Sequence, residues 1–126
     1  MSHFSRIKTS IKDIHILNKT LNDLKYEHSN CQQEIIDSNG NTYEVNIAIQ
    51  NGSNLFGFAW DGQEYNLIAD LQLWNYSISI NMFMDQILQK YAVNTILKSS
   101  LKEGFKSISQ KNYHDGSIKL ILQKWN

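Results

Sequence analysis

The side chains that most often bind metals or act as nucleophiles are few and scattered along this chain. Cys31 is the single cysteine, and one thiol excludes both an internal disulfide and a cysteine-based zinc site. A nucleophilic Cys31 would need a histidine that the fold brings close. The histidines form no His-x-x-His or His-Glu-x-x-His pair; they are His3, His15, His28 and His114. We therefore predict no catalytic residue, no metal site and no cofactor.

Polar residues at one predicted strand end and in one predicted turn make a small-ligand site an alternative. Asp70 ends a predicted strand, and His114 and Asp115 lie in the last predicted hairpin turn. These three side chains are the candidate polar groups of a pocket between a sheet and two helices. Such a pocket would serve a small-ligand-binding protein or an enzyme.

Aromatic residues alternate along one predicted strand, as they do on sheets that stack RNA bases. The residues are Phe56, Phe58 and Trp60, which make RNA binding a second alternative. A nucleic-acid binder derives much of its affinity from a cationic surface, whereas twelve Lys and Arg residues here balance twelve Asp and Glu residues. We therefore expect the three rings to form the core face of the sheet and predict no nucleic-acid partner.

A cluster of large apolar residues follows the predicted strand that ends at Asp70, where a surface loop would normally be polar. The cluster consists of Leu71, Leu73, Trp74 and Tyr76. It either covers an open edge of the sheet or presents an aromatic anchor to a protein partner. Our leading hypothesis is a non-enzymatic binding or assembly-accessory protein that uses this cluster or the outer face of the sheet to hold an unidentified protein partner.

Four Asn-Gly or Asp-Gly pairs predict hairpin turns, because tight turns need the positive φ that glycine adopts easily. Alternating apolar residues between the turns predict antiparallel strands. The turns are Asn39-Gly40, Asn51-Gly52, Asp61-Gly62 and Asp115-Gly116, and the strands cover 4–8, 33–37, 42–50, 55–60, 63–70 and a pair near the C-terminus.

Two segments have helical periodicity instead. In the first, Ser10 is expected to cap a helix and Asp13 to complete a capping box. The second helix runs from about Ile80 to about Glu103 and stops at Gly104. The apolar stripes are Ile14, Leu17, Leu21 and Leu24 in the first helix, and Ile80, Phe83, Met84, Ile87, Leu88, Tyr91, Leu97 and Leu101 in the second.

These elements predict one α+β domain over residues 1–126. Its mostly antiparallel sheet would have about six to seven strands, with two amphipathic helices packed on one face. A chain of 126 residues that is 41% apolar is long enough to bury such a core.

The composition also indicates where the protein is made. Ile, Lys and Asn, which have AT-rich codons, are abundant, and proline is absent. No stretch approaches the roughly 18–20 apolar residues that span a membrane, so we predict no membrane span. The N-terminus has neither an apolar signal region nor a long transit segment. We therefore expect a soluble protein that works in the organelle or low-GC bacterium whose genome encodes it.

Several short motifs spread over the whole chain resemble one family. They include Met1-Ser2-His3-Phe4-Ser5, Gly57-Phe58, Tyr65-x-Leu67-x-Ala69-Asp70 and Gln123-x-Trp125. These residues resemble the conserved chloroplast and cyanobacterial open-reading-frame thirty-five family, an uncharacterised family of unknown function. The resemblance implies a protein of the chloroplast stroma, or of the cyanobacterial cytoplasm if it is not plastid-encoded. It implies no catalytic residues.

Overall fold

The computed structural model describes residues 4–37, 39–51, 54–71, 74, 78–102, 105–112 and 118–124. These ranges contain two helices and a series of mostly antiparallel strands, so the predicted α+β class is confirmed. The elements are β1 (Ser5–Ile11), α1 (Ile14–Asp23), β2 (His28–Ser29), β3 (Gln33–Ile36), β4 (Thr42–Val45), β5 (Ile47–Asn51), β6 (Asn54–Trp60), β7 (Tyr65–Ala69), α2 (Ile80–Lys102), β8 (Phe105–Asn112) and β9 (Ile118–Lys124).

The described strands pair antiparallel and form three separate sheets. The largest sheet has five strands in the order β1-β7-β6-β5-β2, while β3 pairs with β4 and β8 pairs with β9. The sequence predicted one sheet of about six to seven strands, whereas the structure has a five-stranded sheet and two separate two-stranded ribbons. Helix α2 contacts both strands of the C-terminal ribbon. In the part of the chain that the structure describes, no helix has the length and apolarity needed to cross a membrane.

Glycine at positive φ closes two of the predicted hairpins. Gly40 has φ +84° between β3 and β4, and Gly62 has φ +102° between β6 and β7. Strands β5 and β6 pair as far as Asn51 opposite Asn54, which confirms the third hairpin. The fourth predicted turn, Asp115-Gly116, lies outside the described residues, although β8 and β9 on either side of it are paired.

The single strand predicted over 42–50 is wrong, because the chain bends at Asn46 and continues in a different sheet. The Asn46 N–H donates to the Phe58 carbonyl at 2.8 Å, and its side-chain oxygen accepts from the Trp60 N–H, also at 2.8 Å. These bonds hold the bend against β6. Alternation of apolar residues continues through the bend, so periodicity alone does not reveal it.

The bend gives the five-stranded sheet a covered outer face. Ribbon β3–β4 folds back over that face and packs against β6. The two faces of the sheet thus bury separate apolar clusters. The helix-covered cluster includes Leu17, Leu21, Ile47, Ile49, Phe56, Phe58, Leu67, Phe83 and Ile87, and the ribbon-covered cluster consists of Phe4, Ile35, Val45, Ala48, Ala59 and Ile68.

The predicted cap of α1 is also wrong. Ser10 belongs to β1, where it has φ +65° within an irregularity of the β1–β7 register. Asp13 is the actual N-cap, because its Oδ1 accepts from the His15 and Ile16 N–H groups at 2.9 and 3.2 Å. Both residues fit a capping pattern locally. Strand β1 pairs with β7 as far as Ile11, which lies opposite Tyr65. Ser10 is therefore part of the strand, and Asp13 is left to cap the helix.

Helix α2 confirms the predicted position but only part of the predicted apolar stripe. Phe83, Met84 and Ile87 enter the helix-covered cluster, whereas Leu88 and Leu101 are exposed. The second half of the helix buries Val93 and Asn94 instead. Its buried face therefore rotates along its length, which one continuous stripe does not describe.

Candidate functional site

Trp74, a predicted anchor for a partner, packs against the helix-covered core. Its ring lies 5.0 Å from that of Phe56 and 5.2 Å from that of Phe83, measured between centroids. The indole Nε1–H donates to the Ile78 carbonyl at 2.9 Å. Ring contacts at this spacing and a satisfied indole N–H hold Trp74 in place. The half-buried Trp74 is thus fixed by the core and by Ile78. We call the described residues between β7 and α2 the link; they are Asp70, Leu71, Trp74, Ile78 and Ser79.

The remaining predicted site residues differ in exposure. Asp70 is buried where β7 ends, and the next residue, Leu71, is 46% exposed. The other two members of the apolar cluster, Leu73 and Tyr76, lie outside the described residues, as do His114 and Asp115. Of the predicted site residues, the structure therefore describes Asp70, Leu71 and Trp74, which all follow β7 in the chain.

The aromatic strand does not offer the ring platform that the RNA alternative requires. Phe56 and Phe58 are fully buried beneath the helices, and only Trp60 is partly exposed, at 44%. Trp60 in turn lies against Tyr65, with ring centroids 4.9 Å apart. Bases cannot stack on buried rings, so RNA binding through this strand is overturned.

Two open clefts that sequence reasoning missed flank the short strand β2. The inner cleft, on the helix side, has a volume of about 490 Å³ and is lined by Asn22, Lys25, Tyr26, Glu27, His28 and Asn30. The outer cleft, on the ribbon side, has a volume of about 320 Å³ and is lined by Ser29, Gln33, Ala48, Gln50 and Leu55 together with Glu27 and His28. Asp70 lines neither cleft.

The end of α1 shapes the inner cleft. The Tyr26 N–H donates to the Leu21 carbonyl at 2.9 Å and the Lys25 N–H to the Asn22 carbonyl at 3.0 Å, the paired bonds of a Schellman motif. Lys25 occupies the left-handed position of that motif, with φ +64°, where glycine is usual. Sequence analysis recognises this kind of helix end by a glycine or asparagine at this position, so a lysine here gives no signal of it.

Two side chains that line the inner cleft are oriented by hydrogen bonds. His28 Nδ1 lies 2.9 Å from the Tyr26 carbonyl oxygen, so a proton on Nδ1 leaves Nε2 as the acceptor of the ring. The Tyr26 hydroxyl donates to Gln86 Oε1 at 3.4 Å, and its ring lies 5.1 Å from that of Phe83. Burial raises the pKa of Tyr26. The cleft wall is therefore joined to the aromatic core.

A buried amide joins the two helices and was not expected from sequence. Asn94 Nδ2 donates to Thr20 Oγ1 at 3.2 Å and to Asp23 Oδ2 at 3.1 Å. Lys19 also bonds Asp23, at 3.0 Å. Burial raises the pKa of Asp23, but the bonds from Lys19 and Asn94 and the nearby positive charges outweigh that effect and lower it overall. The only signal of this contact in the sequence is that Asn94 is a polar residue on the buried face of a helix.

Among the described residues, no group of three or more His, Cys, Asp or Glu side chains could hold a metal ion. Cys31 is exposed, and its backbone N–H donates to Ser29 Oγ at 3.4 Å. The described surfaces include the exposed Leu71 of the link and the two open clefts beside β2.

Comparison with known proteins extends over the whole chain. A family model described as a protein of unknown function (DUF1257) matches residues 20–121. A relative named "Uncharacterized protein ycf35" from Pyropia yezoensis is 40% identical over 127 residues, covering 100% of this chain and 99% of the relative. Proteins of the same name from Guillardia theta and Cyanophora paradoxa are 40% and 35% identical, each covering 99% of this chain and 98% of the relative. No solved structure matches the chain.

Proposed function

The chain belongs to the ycf35 family, as its motifs predicted, and we propose that it is a non-enzymatic binding protein that holds a protein partner against the link. The relatives are products of plastid-genome genes, which supports a plastid origin for this chain. We further propose that it acts in the stroma, where it would serve as an assembly-accessory protein.

The exposure of Leu71 carries this proposal. A leucine that is 46% exposed lies directly after the buried Asp70 and three residues before the anchored Trp74. The burial of Asp70 restrains the backbone directly before Leu71, so the apolar side chain is presented next to a fixed strand end. A preorganised apolar contact loses little conformational entropy when a partner covers it. Trp74 then acts as the support of the contact surface, and Leu71 acts as its exposed part.

The experiment compares three tagged full-length proteins in plastid extracts. Leu71→Ser removes the exposed leucine, and Ile36→Ser is the matched control because Ile36 is 63% exposed on the ribbon. We expect wild type and Ile36→Ser to recover the same protein, and Leu71→Ser to lose it. A photo-crosslinking residue at position 71 should then form a covalent adduct with that protein.

Two results would refute the proposal. One is recovery of the same proteins by all three baits, and the other is recovery of none by wild type. Circular dichroism and urea unfolding of Leu71→Ser check that loss of the partner does not reflect loss of the fold. Because Leu71 is already half exposed, we expect its substitution to change the free energy of unfolding by less than about 0.5 kcal/mol.

A further inference from the structure

Strand β2 is the open edge of the five-stranded sheet, and clefts lie on both of its faces. It pairs with β5, with His28 opposite Ile49 and Ser29 opposite Ala48, and within the described residues no other strand pairs with it. The inner and outer clefts meet at this strand, since Glu27 and His28 line both of them.

This arrangement matches the requirements for strand addition. An extended peptide that pairs with a sheet edge gains main-chain hydrogen bonds, and its successive side chains point to opposite faces of the sheet. Pockets on both faces can therefore receive alternate side chains. We propose that the edge of β2 binds an extended segment of a partner protein, whose neighbouring side chains enter the inner and the outer cleft.

The linings of the two clefts define the chemistry of that segment. The side chains of Asn22, Lys25 and Asn30 make the inner cleft polar and suited to a side chain that forms hydrogen bonds. The outer cleft contains Ala48 and Leu55, which belong to the ribbon-covered apolar region and suit a small aliphatic side chain. The segment accordingly alternates a polar and an aliphatic residue.

The opposite edge of the sheet is built differently. Strand β1 carries the exposed, positively charged Arg6 and Lys8 and has an irregular register between Lys8 and Ile11. Charged side chains and bulges are the features that keep edge strands from pairing. A second copy of this chain therefore has no suitable strand to add from β1, and its own β2 is only two residues long, so the occupant of the β2 edge is an extended segment of another protein.

Lys25 provides an independent observation at the same place. A non-glycine residue in the left-handed region is strained, and such residues cluster at binding and active sites, where the surrounding structure imposes the strain. Glycine would relieve the strain but would remove an ammonium group from the inner cleft. The strained lysine is explained if its side chain contacts the bound segment.

The β2 edge also adjoins the link. Tyr26 of the inner cleft lies against Phe83, and Phe83 lies against Trp74, with ring centroids 5.1 and 5.2 Å apart. A partner on the link could therefore extend a segment along β2. The strand-addition proposal does not depend on that partner, because it rests on the edge and its two clefts.

The test uses a phage library of random twelve-residue peptides selected on the immobilised full chain. We expect enriched peptides that alternate polar and aliphatic residues. On binding, the backbone amides of residues 27–30 should become protected in NMR-detected hydrogen exchange.

Lys25→Gly should weaken binding about tenfold while raising the melting temperature, so lost binding cannot be attributed to unfolding. Gln50→Trp, at an exposed strand position, should fill the outer cleft and weaken binding similarly.

Leu71→Ser separates this proposal from the proposed function. We expect it to leave peptide binding unchanged, even if it abolishes recovery of the partner held by the link. Absence of any enriched peptide would overturn strand addition. Binding that neither cleft variant changes, or that protects no amide near β2, would overturn it as well.

Discussion

A Cβ atom on Gly57 would lie 2.3 Å from the carbonyl oxygen of Ile47 and 3.1 Å from Cβ of Val45. Ile47 begins β5, and Val45 ends β4 on the other side of the bend at Asn46. At Gly57, both β5 and the ribbon that folds back come close to the backbone of β6, and this leaves no room for a side chain. A glycine in a strand interior commonly marks such a close approach.

The first prediction concerns this contact. Gly57→Ala forces the backbone of β5 to move, and we expect the free energy of unfolding to fall by about 3 kcal/mol in urea titrations. Gly62→Ala is the control, because open space surrounds that position and only its positive φ opposes a side chain. Its expected cost is about 1 kcal/mol. Equal costs for the two variants would refute the close approach.

The second prediction concerns the strain at the end of α1. Lys25→Gly should raise the free energy of unfolding by about 1 kcal/mol, because glycine adopts φ +64° without a steric cost. The melting temperature should rise by roughly 4 °C. Lys25→Ala removes the same charge but keeps the strain, and we expect no increase. A comparable gain in both variants would assign the effect to the charge of Lys25 instead of its backbone.

The third prediction concerns the anchor of the link. Trp74→Ala removes the ring between Phe56 and Phe83 and should reduce the free energy of unfolding by about 3 kcal/mol. Trp74→Phe keeps an aromatic ring but loses the bond to the Ile78 carbonyl, at an expected cost of about 1 kcal/mol. If Trp60→Ala, at a more exposed tryptophan, is as destabilising as Trp74→Ala, the anchor assignment is wrong.

The fourth prediction concerns pH. The folded-state pKa of Asp23 lies below its ordinary value of 3.8, so its contribution to stability is complete above that value. The contribution is lost as the pH falls through the lower, folded-state pKa. We therefore expect the free energy of unfolding to be smaller at about pH 3 than at about pH 7, with a smaller difference in Asp23→Asn.

Asn94 provides a second test of this linkage. Asn94→Ala removes one of the donors that stabilise the charged form of Asp23, so its loss of stability in acid should be smaller than that of wild type. Ser99→Ala, at an exposed position on the same helix, should behave as wild type does. An identical acid response in wild type, Asp23→Asn and Asn94→Ala would exclude Asp23 as a contributor.

The features that sequence analysis predicted correctly are local. Gly40 and Gly62 mark turns because only glycine adopts positive φ without a steric cost. That preference can be recognised from the sequence without knowledge of the fold. Phe56 and Phe58 alternate at strand spacing, and their burial confirms the interpretation as a core face. The positions of both helices follow in the same way from periodicity.

The features that it missed depend on contacts between distant residues. Asn46 bends the chain through bonds to Phe58 and Trp60, more than ten residues away. The ribbon-covered outer face follows from that bend and from the space that Gly57 leaves. No residue pattern near the Glu27–Asn30 segment marks the clefts, because their walls come from α1, β3, β5 and β6 as well.

Local sequence is thus sufficient for the α+β class, three of the hairpin turns and the two helices, because backbone preferences and periodicity act over a few residues. The family followed separately, from the resemblance of short motifs. It is not sufficient for the division of strands among sheets, the anchoring of Trp74 or the clefts beside β2. Those depend on which surfaces meet once the chain is compact. The burial of side chains far apart along the chain, rather than any local preference, selects that arrangement.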